Sequence, residues 1–166
     1  MEKILEVAKY LIYRYRYISK EDERIDEMKL HKLLYFAQRE SFAIKNEPLF
    51  EGDFEGWKYG PVSKEVRAYY KNSDPEVEEI SDISYESKYI VNNIIEEYGA
   101  MATWKLSELS HKEKSWLNAR NGLSESENGS CILKLDDIKE DASKVRPYDY
   151  VWDMYYDEFE DFEVEN

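Results

Sequence analysis

The chain has few side chains of the types that enzymes use as nucleophiles or bases. Its 166 residues include two histidines, His31 and His111, and one cysteine, Cys131. A cysteine–histidine dyad could support nucleophilic catalysis, but a lone Cys in the apolar run 130–135 more often packs as a small buried hydrophobe. His31 falls within a helical repeat and is interpreted as a core residue. A small hydrolase built on His111 and nearby carboxylates is an alternative, supported only by the presence of those residues. We therefore predict that the chain is not an enzyme.

Sites for metals, phosphates and cofactors also lack their usual sequence signatures. Metal ligands typically occur as histidines four residues apart, paired cysteines or mixed clusters, and the sequence contains none of these. With six glycines there is little material for a Gly-rich phosphate-binding loop. The 37 acidic residues could be paired anywhere, so their spacing specifies no general acid or base. The sequence predicts no metal and no cofactor.

The most informative local pattern is Trp-Lys-Tyr-Gly-Pro-Val at residues 57–62. Gly60 permits a sharp turn, and Pro61 suits the first turn of a helix, where its missing N–H costs nothing. This pattern predicts a tight entrance into a helix. Trp57 and Tyr59 either fill the adjacent core or form an exposed recognition surface, since aromatic side chains are favoured at interfaces.

Three motifs in the same order resemble the Panacea antitoxin domain family, also known as phage-associated, GepA-like or SocA-like proteins. They are Lys29–Gln38, Trp57–Val62 and Leu109–Trp116. The resemblance covers roughly residues 4–145. It implies a protein, often encoded beside a toxin, that neutralises this toxin by direct binding. One branch resembles an adaptor that delivers its toxin to a protease, and a phage-encoded protein that interacts with its host is a further alternative. His111 and Trp116 match the family pattern, although packing or capping roles would also explain them. The candidate partner-binding residues of these motifs are Trp57, Tyr59, Gly60, Pro61, Val62, His111 and Trp116.

Apolar periodicity predicts a mainly α, compact multi-helix single domain over residues 1–145, with a minor two-stranded β element. Thr103 is expected to cap a short helix, and Ser110 with Glu113 to form a capping box. The predicted strand 130–135 pairs with an extended arm at 54–57. The expected helices span 3–18, 26–44, 62–71, 84–98, 103–109, 110–119 and 136–144.

Residues 146–166 form an acidic and aromatic C-terminal extension with helical spacing. Aromatic residues recur at intervals of three and four, and aspartates recur every four residues, so a helix would carry one aromatic and one acidic stripe. This amphipathic segment either packs on its own domain or folds on a partner. Its candidate partner-binding residues are Tyr148, Trp152, Tyr155, Tyr156 and Phe159.

The charge distribution restricts the class of partner. The net charge is −14, and residues 51–100 and 145–166 each carry seven more acidic than basic side chains. This balance opposes direct binding of nucleic acid and favours a basic toxin. No apolar run is long enough to span a bilayer, the charged start does not resemble a signal peptide, and a single Cys fits a reducing cytoplasm. We expect a cytoplasmic protein of a bacterium or phage-infected host that binds a toxin and in some cases a protease. The oligomeric state stays open.

Overall fold

The computed structural model describes residues 1–19 and 24–147, and this part of the chain is mainly α-helical, as predicted. Seven helices and four short strands are present in the described residues. The helices are α1 (Ile4–Ser19), α2 (Glu27–Lys45), α3 (Lys64–Asn72), α4 (Tyr85–Tyr98), α5 (Thr103–Ser110), α6 (Lys114–Ala119) and α7 (Leu135–Ala142). The strands are β1 (Glu2–Lys3), β2 (Phe50–Glu51), β3 (Glu55–Trp57) and β4 (Gly60–Val62). Of the predicted extension at 146–166, residues 148–166 lie outside the described residues.

Helix α2 lies at the centre of the domain. The Asp26 side chain caps its first turn by accepting the Lys29 N–H at 2.9 Å. Asn46, in the left-handed conformation, follows its last turn. Every residue from Lys29 to Phe42 is buried, because α1, α4, α5 and α7 surround the helix. A helix buried on all sides must find partners for its polar side chains.

The polar residues of α2 connect it to the other elements. Gln38 accepts the backbone N–H groups of Leu49 and Phe50 and donates to the Phe50 carbonyl. This contact fixes β2, which pairs in parallel with β1. Arg39 forms a buried ion pair with Glu113, just before α6. The motif Lys29–Gln38 and the following Arg39 therefore connect α2 to the other elements as well as filling the core.

Strands β3 and β4 form an antiparallel hairpin with Trp57 opposite Gly60. The segment around Ile132 adds an isolated antiparallel bridge to Glu55. The Leu133 N–H donates to the Phe54 carbonyl at 2.8 Å in the same bridge. The predicted pairing of this segment with the arm at 54–57 is therefore confirmed, but the predicted strand over 130–135 is wrong, because only a single bridge forms there and Leu135 already begins α7.

The predicted helix entrance at Gly60–Pro61 is wrong. Both residues belong to β4, where Pro61 lies opposite Gly56. Helix α3 begins only at Lys64, and the Ser63 hydroxyl caps it by accepting the Val66 N–H at 3.2 Å. Proline tolerates an extended edge strand as well as a helix start, so the Gly-Pro pair alone could not decide between them.

Three local predictions in the second half of the chain are also wrong. Ala102, not Thr103, precedes the first turn of α5. Ser110 is the last residue of α5, and its hydroxyl donates to the Ser107 carbonyl at 2.8 Å instead of opening a capping box. Cys131 is exposed and does not pack as a buried hydrophobe.

Candidate recognition pocket

A two-residue turn, Lys58–Tyr59, closes the β3–β4 hairpin. The backbone φ of Gly60 is +131°, a value that residues with a Cβ rarely adopt. A Cβ at this position would lie 2.8 Å from the Ser110 hydroxyl oxygen. Gly60 therefore lets the hairpin approach the end of α5 closely, and 56% of the Tyr59 surface remains exposed at the turn.

Trp116 of α6 joins the hairpin to the end of α5. Its indole N–H donates to the Trp57 carbonyl at 2.7 Å. The imidazole of His111 stacks on the Trp116 ring, with ring centres 4.2 Å apart and planes 11° from parallel. Trp116 is only 7% exposed. Two motifs more than 50 residues apart in sequence thus form one site.

Helix α6 receives its N-terminal cap from another helix. Its own preceding residue, Glu113, makes no side-chain capping bond. Instead, the Asp141 carboxylate of α7 accepts the N–H groups of Lys114 at 2.8 Å and Ser115 at 2.9 Å. It also accepts the Tyr35 hydroxyl at 3.2 Å. A carboxylate at these unpaired N–H groups stabilises the start of a helix, so α7 and α2 together hold Trp116 in place.

Arg120, at the end of α6, fixes the loop that follows. Its guanidinium donates to the carbonyls of Gly56 and Ser124, both at 3.0 Å, and to that of Glu127. The same group lies 5.2 Å from the centre of the Trp116 ring, within the range of cation–π attraction. These carbonyls satisfy the donors of Arg120 without neutralising its charge.

These elements enclose an open pocket of about 580 Å³, which we call the aromatic pocket. Its walls include aromatic, aliphatic and cationic side chains, and Glu125 is its acidic lining residue. Its size suits a side chain or short peptide segment. The lining residues are Lys58, Tyr59, His111, Trp116, Leu117, Arg120, Leu123, Ser124, Glu125 and Ser126.

A buried lysine lies behind the aromatic pocket. Lys32 of α2 is 0% exposed, and its ammonium has no hydrogen-bond partner among the described residues. A Cβ at Gly60 would lie 3.5 Å from its Cε atom. Burial lowers the pKa of Lys32 to about 8, and the charge of Asp26 offsets this only in part. Below that pH the side chain still carries a positive charge.

The surroundings of His111 lower its pKa and so favour the neutral form. Burial is the main cause that lowers its pKa, and the positive charges of Lys32 and Arg120 lower it further. A hydrogen bond to the backbone of Lys58 and the charge of Glu125 act in the opposite direction. The Nε2 atom of His111 is buried and has no hydrogen-bond partner among the described residues.

The other histidine, His31, contacts the backbone directly after β4. His31 is fully buried, as the sequence predicts for a core residue. Its Nδ1 accepts the Ser63 N–H at 3.3 Å, and its Nε2 lies 3.2 Å from a carboxylate oxygen of Glu27. Glu27 in turn pairs with Arg67 at 2.6 Å. This pattern requires the neutral tautomer with the proton on Nε2, and burial lowers the pKa of His31 to about 4.

The structure brings together four of the residues that the sequence singled out. Trp57, Tyr59, His111 and Trp116 meet at or beside the aromatic pocket. Gly60, Pro61 and Val62 are buried and shape the hairpin. The remaining candidates, Tyr148, Trp152, Tyr155, Tyr156 and Phe159, lie outside the described residues.

Sequence reasoning missed Lys32 and Arg120. Lys32 lies next to the predicted apolar stripe of α2, between Leu30 and Leu33, and a lysine in that position is a signal that could have been noticed. Arg120 follows the predicted end of its helix and carried no comparable signal. Its role depends on carbonyls of the hairpin and the following loop, which only the folded chain brings together.

The described residues offer no constellation that is typical of catalysis. Cys131 lines a separate depression with Asn118, Lys134 and Asp137, away from both histidines. Within residues 1–19 and 24–147, no three side chains of the metal-binding types converge on one point. None of the described helices combines the length and apolar character needed to cross a membrane.

Comparison with known proteins identifies the family. Residues 30–117, more than half of the chain, match the family described as "Antitoxin SocA-like, Panacea domain". The chain belongs to this family. The matched range starts within α2 and ends within α6, so the Panacea domain includes Lys32, the hairpin and Trp116. The family resemblance predicted from the three motifs is thereby confirmed.

One curated relative is Antitoxin SocA of Caulobacter vibrioides (strain NA1000 / CB15N). It is 36% identical over 74 residues, which cover 45% of this chain and 33% of that protein. The similarity therefore spans about a third of the length of this relative. No solved structure matches the chain.

Proposed function

We propose that this Panacea-domain chain acts as an antitoxin, without enzymatic activity of its own. It would bind a toxin protein directly and cover the surface through which that toxin acts. Membership of the SocA-like antitoxin family supports this function at the level of the domain. An open pocket lined by the exposed Tyr59 and by the ring of Trp116 is typical of a binding protein.

The observation that carries the proposal is the convergence of two family motifs on one open surface. Tyr59 is exposed at the turn of the hairpin, and Trp116 and His111 form the wall beside it. A rigid aromatic cluster of this kind loses little conformational entropy on binding. We therefore place the toxin contact at the aromatic pocket, with Trp57 supporting it from the hairpin. We also propose that the aromatic residues within 148–159 contact the toxin.

The overall charge of the chain should affect the rate of association more than its strength. A net charge of −14 attracts a basic toxin over distances comparable to the Debye length. Raising the salt concentration from 50 to 500 mM should therefore lower the association rate. An association rate independent of salt would contradict electrostatic steering.

The test requires the toxin, which we expect the adjacent reading frame to encode. Co-expression should rescue growth, and the two proteins should co-purify. Tyr59→Ala should weaken the complex about tenfold or more, as expected for an interfacial aromatic residue. Tyr85→Ala is the matched control, because Tyr85 is 86% exposed and lies outside the aromatic pocket. Equal losses in both variants, or none in either, would contradict the proposed contact surface.

Two further outcomes concern the mechanism. Loss of the toxin only in cells that contain a particular protease would indicate an adaptor instead of simple occlusion. Turnover of a small substrate by the purified chain, abolished by His111→Ala, would contradict a purely binding function.

A further inference from the structure

Two positively charged side chains line the aromatic pocket and a third lies behind it, and none of the three forms an ion pair with a carboxylate among the described residues. Lys58 and Arg120 line the pocket, and Lys32 lies buried behind Gly60. Some lysines and arginines in the described part of the chain, such as Arg39 and Lys114, form ion pairs, whereas Lys32, Lys58 and Arg120 do not. In a chain with a net charge of −14, this is a local reversal of sign.

The buried ammonium group of Lys32 is costly for the free protein. A buried charge without a partner destabilises the fold, and the low dielectric of the interior makes its field strong nearby. The buried Nε2 of His111, on the pocket wall, also has no partner among the described residues. Both features have an explanation if a negative group occupies the pocket when the protein is bound.

The apolar part of the pocket wall indicates that the ligand also has an apolar group. Trp116, Leu117 and Tyr59 offer apolar and aromatic surface beside the cationic groups. A carboxylate next to an apolar side chain would satisfy both kinds of surface, as Asp or Glu beside a Phe or Leu does in a peptide. Glu125 is the acidic group that faces the same space, and it would favour a ligand that keeps its carboxylate near Lys58.

We propose that the aromatic pocket takes an acidic segment of the toxin, a carboxylate beside an apolar side chain. This inference rests on the proposed antitoxin function, because it assigns the chemistry of the contact to the same site. A protein segment is favoured over nucleic acid because the net charge of −14 on the chain would repel a polyanion that extends beyond a single small pocket. The toxin can still be basic overall, since only one segment enters the pocket.

The inference can be tested without the toxin by using a synthetic probe. The probe is the blocked peptide Gly-Ser-Glu-Phe-Glu-Ser-Gly, and its control replaces both Glu residues by Gln. Binding to the full ¹⁵N-labelled chain is followed by NMR at the indole N–H signals. We expect the Trp116 signal to shift on titration, while Trp104, exposed on α5, stays unchanged as an internal control. The Gln peptide should bind about tenfold more weakly or not at all.

Variants of the protein locate the charge that is responsible. Lys32→Met and Lys58→Met should each weaken binding of the acidic probe about tenfold, since each removes one positive charge that has no ion-pair partner. Lys105→Met is the matched control, because Lys105 lies on the exposed surface of α5 and pairs with Glu108. Unchanged affinity in Lys32→Met and Lys58→Met would overturn the inference, and so would equal binding of the two peptides.

Other occupants give different results. Tighter binding of an eight-residue oligothymidylate than of the acidic probe would overturn the assignment to a protein segment. A full-length variant with Asp149, Asp153, Asp157 and Asp161 changed to Asn tests the acidic extension of the chain itself. If it bound the probe about tenfold more tightly than the parent, the extension would be the occupant, and the assignment to the toxin would fail.

Measuring toxin binding by the same variants distinguishes this inference from the proposed function. If the toxin binds but Lys32→Met and Lys58→Met leave its affinity unchanged, the acidic-segment inference fails while the antitoxin function stands. If the acidic probe binds as expected but no toxin does, the antitoxin function fails instead. Competition between the probe and the toxin for the Trp116 signal supports both.

Discussion

Protonation of His31 should determine how the stability of this protein responds to acid. The imidazole is fully buried, accepts the Ser63 N–H and has a pKa lowered to about 4, compared with an ordinary value of 6.5. The folded chain therefore resists a proton that the unfolded chain takes up readily. Stability is complete above pH 6.5 and is lost as the pH falls from 6.5 towards 4, because the unfolded state binds more protons in that range.

The size of this effect follows from the two pKa values. Between pH 7.5 and pH 5, a shift from 6.5 to about 4 lowers the free energy of unfolding by roughly 2 kcal/mol. Because other groups also titrate in this range, the useful quantity is a difference between two proteins. His31→Asn keeps an acceptor near the Nδ1 position for Ser63 but cannot be protonated. The variant should be less stable at pH 7.5, yet should lose about 2 kcal/mol less than the parent on acidification.

Urea unfolding followed by circular dichroism at pH 7.5, 6.5, 5.5 and 5 measures this difference. With a typical urea m-value of about 2 kcal/mol/M, the two pH profiles should diverge by about 1 M in midpoint. NMR titration of the histidine signals gives an independent reading, with His31 titrating near pH 4. Parallel profiles for parent and variant, or a His31 signal that titrates at 6.5, would refute the reasoning.

Three further predictions concern the aromatic pocket and its supports. Asp141→Ala should lower the free energy of unfolding by roughly 2–4 kcal/mol, since the N–H groups of Lys114 and Ser115 lose their acceptor. The control Glu140→Ala should lower the free energy of unfolding by less than about 1 kcal/mol, because the ion pair of Glu140 with Lys114 is half exposed. If urea unfolding gave equal losses for the two variants, the capping role of Asp141 would be disproved. Gly60→Ala should cost roughly 1–3 kcal/mol from its φ of +131° and its contact with α5, which thermal unfolding can check. Lys32→Met should raise the free energy of unfolding by roughly 1–3 kcal/mol at pH 7. This gain should shrink as the pH rises from about 8 to 10.5, because the lysine of the parent then loses its charge. A variant less stable than the parent would show that the ammonium group has a partner.

Sequence periodicity was sufficient to predict most of the helices. The apolar repeat of α2 predicted its bounds, 26–44, to within a residue, because the burial of one stripe is a local property of the sequence. What the repeat could not show is that α2 is buried on every side. That depends on four other helices, which contact it from distant parts of the chain.

The starts of the helices around the pocket were harder to predict because their caps are not local. A capping box was expected at Ser110–Glu113, yet α6 begins at Lys114 and receives its cap from Asp141 in α7. Likewise, Gly60 and Pro61 suit both a helix start and an edge strand, and pairing with β3 decides for the strand. In the candidate site, the aromatic residues were predicted from the family motifs. Lys32 and Arg120 were found only from the tertiary contacts of the folded chain.

The dependence of α6 on Asp141 links the local opening of two helices. If α7 unfolds transiently, α6 loses the carboxylate that holds its first turn, and Trp116 loses its support at the hairpin. The backbone amides of Trp116, Ile138 and their neighbours should therefore exchange with deuterium as one cooperative unit. A load applied to α7 would therefore reach the recognition surface in part through the Asp141 carboxylate.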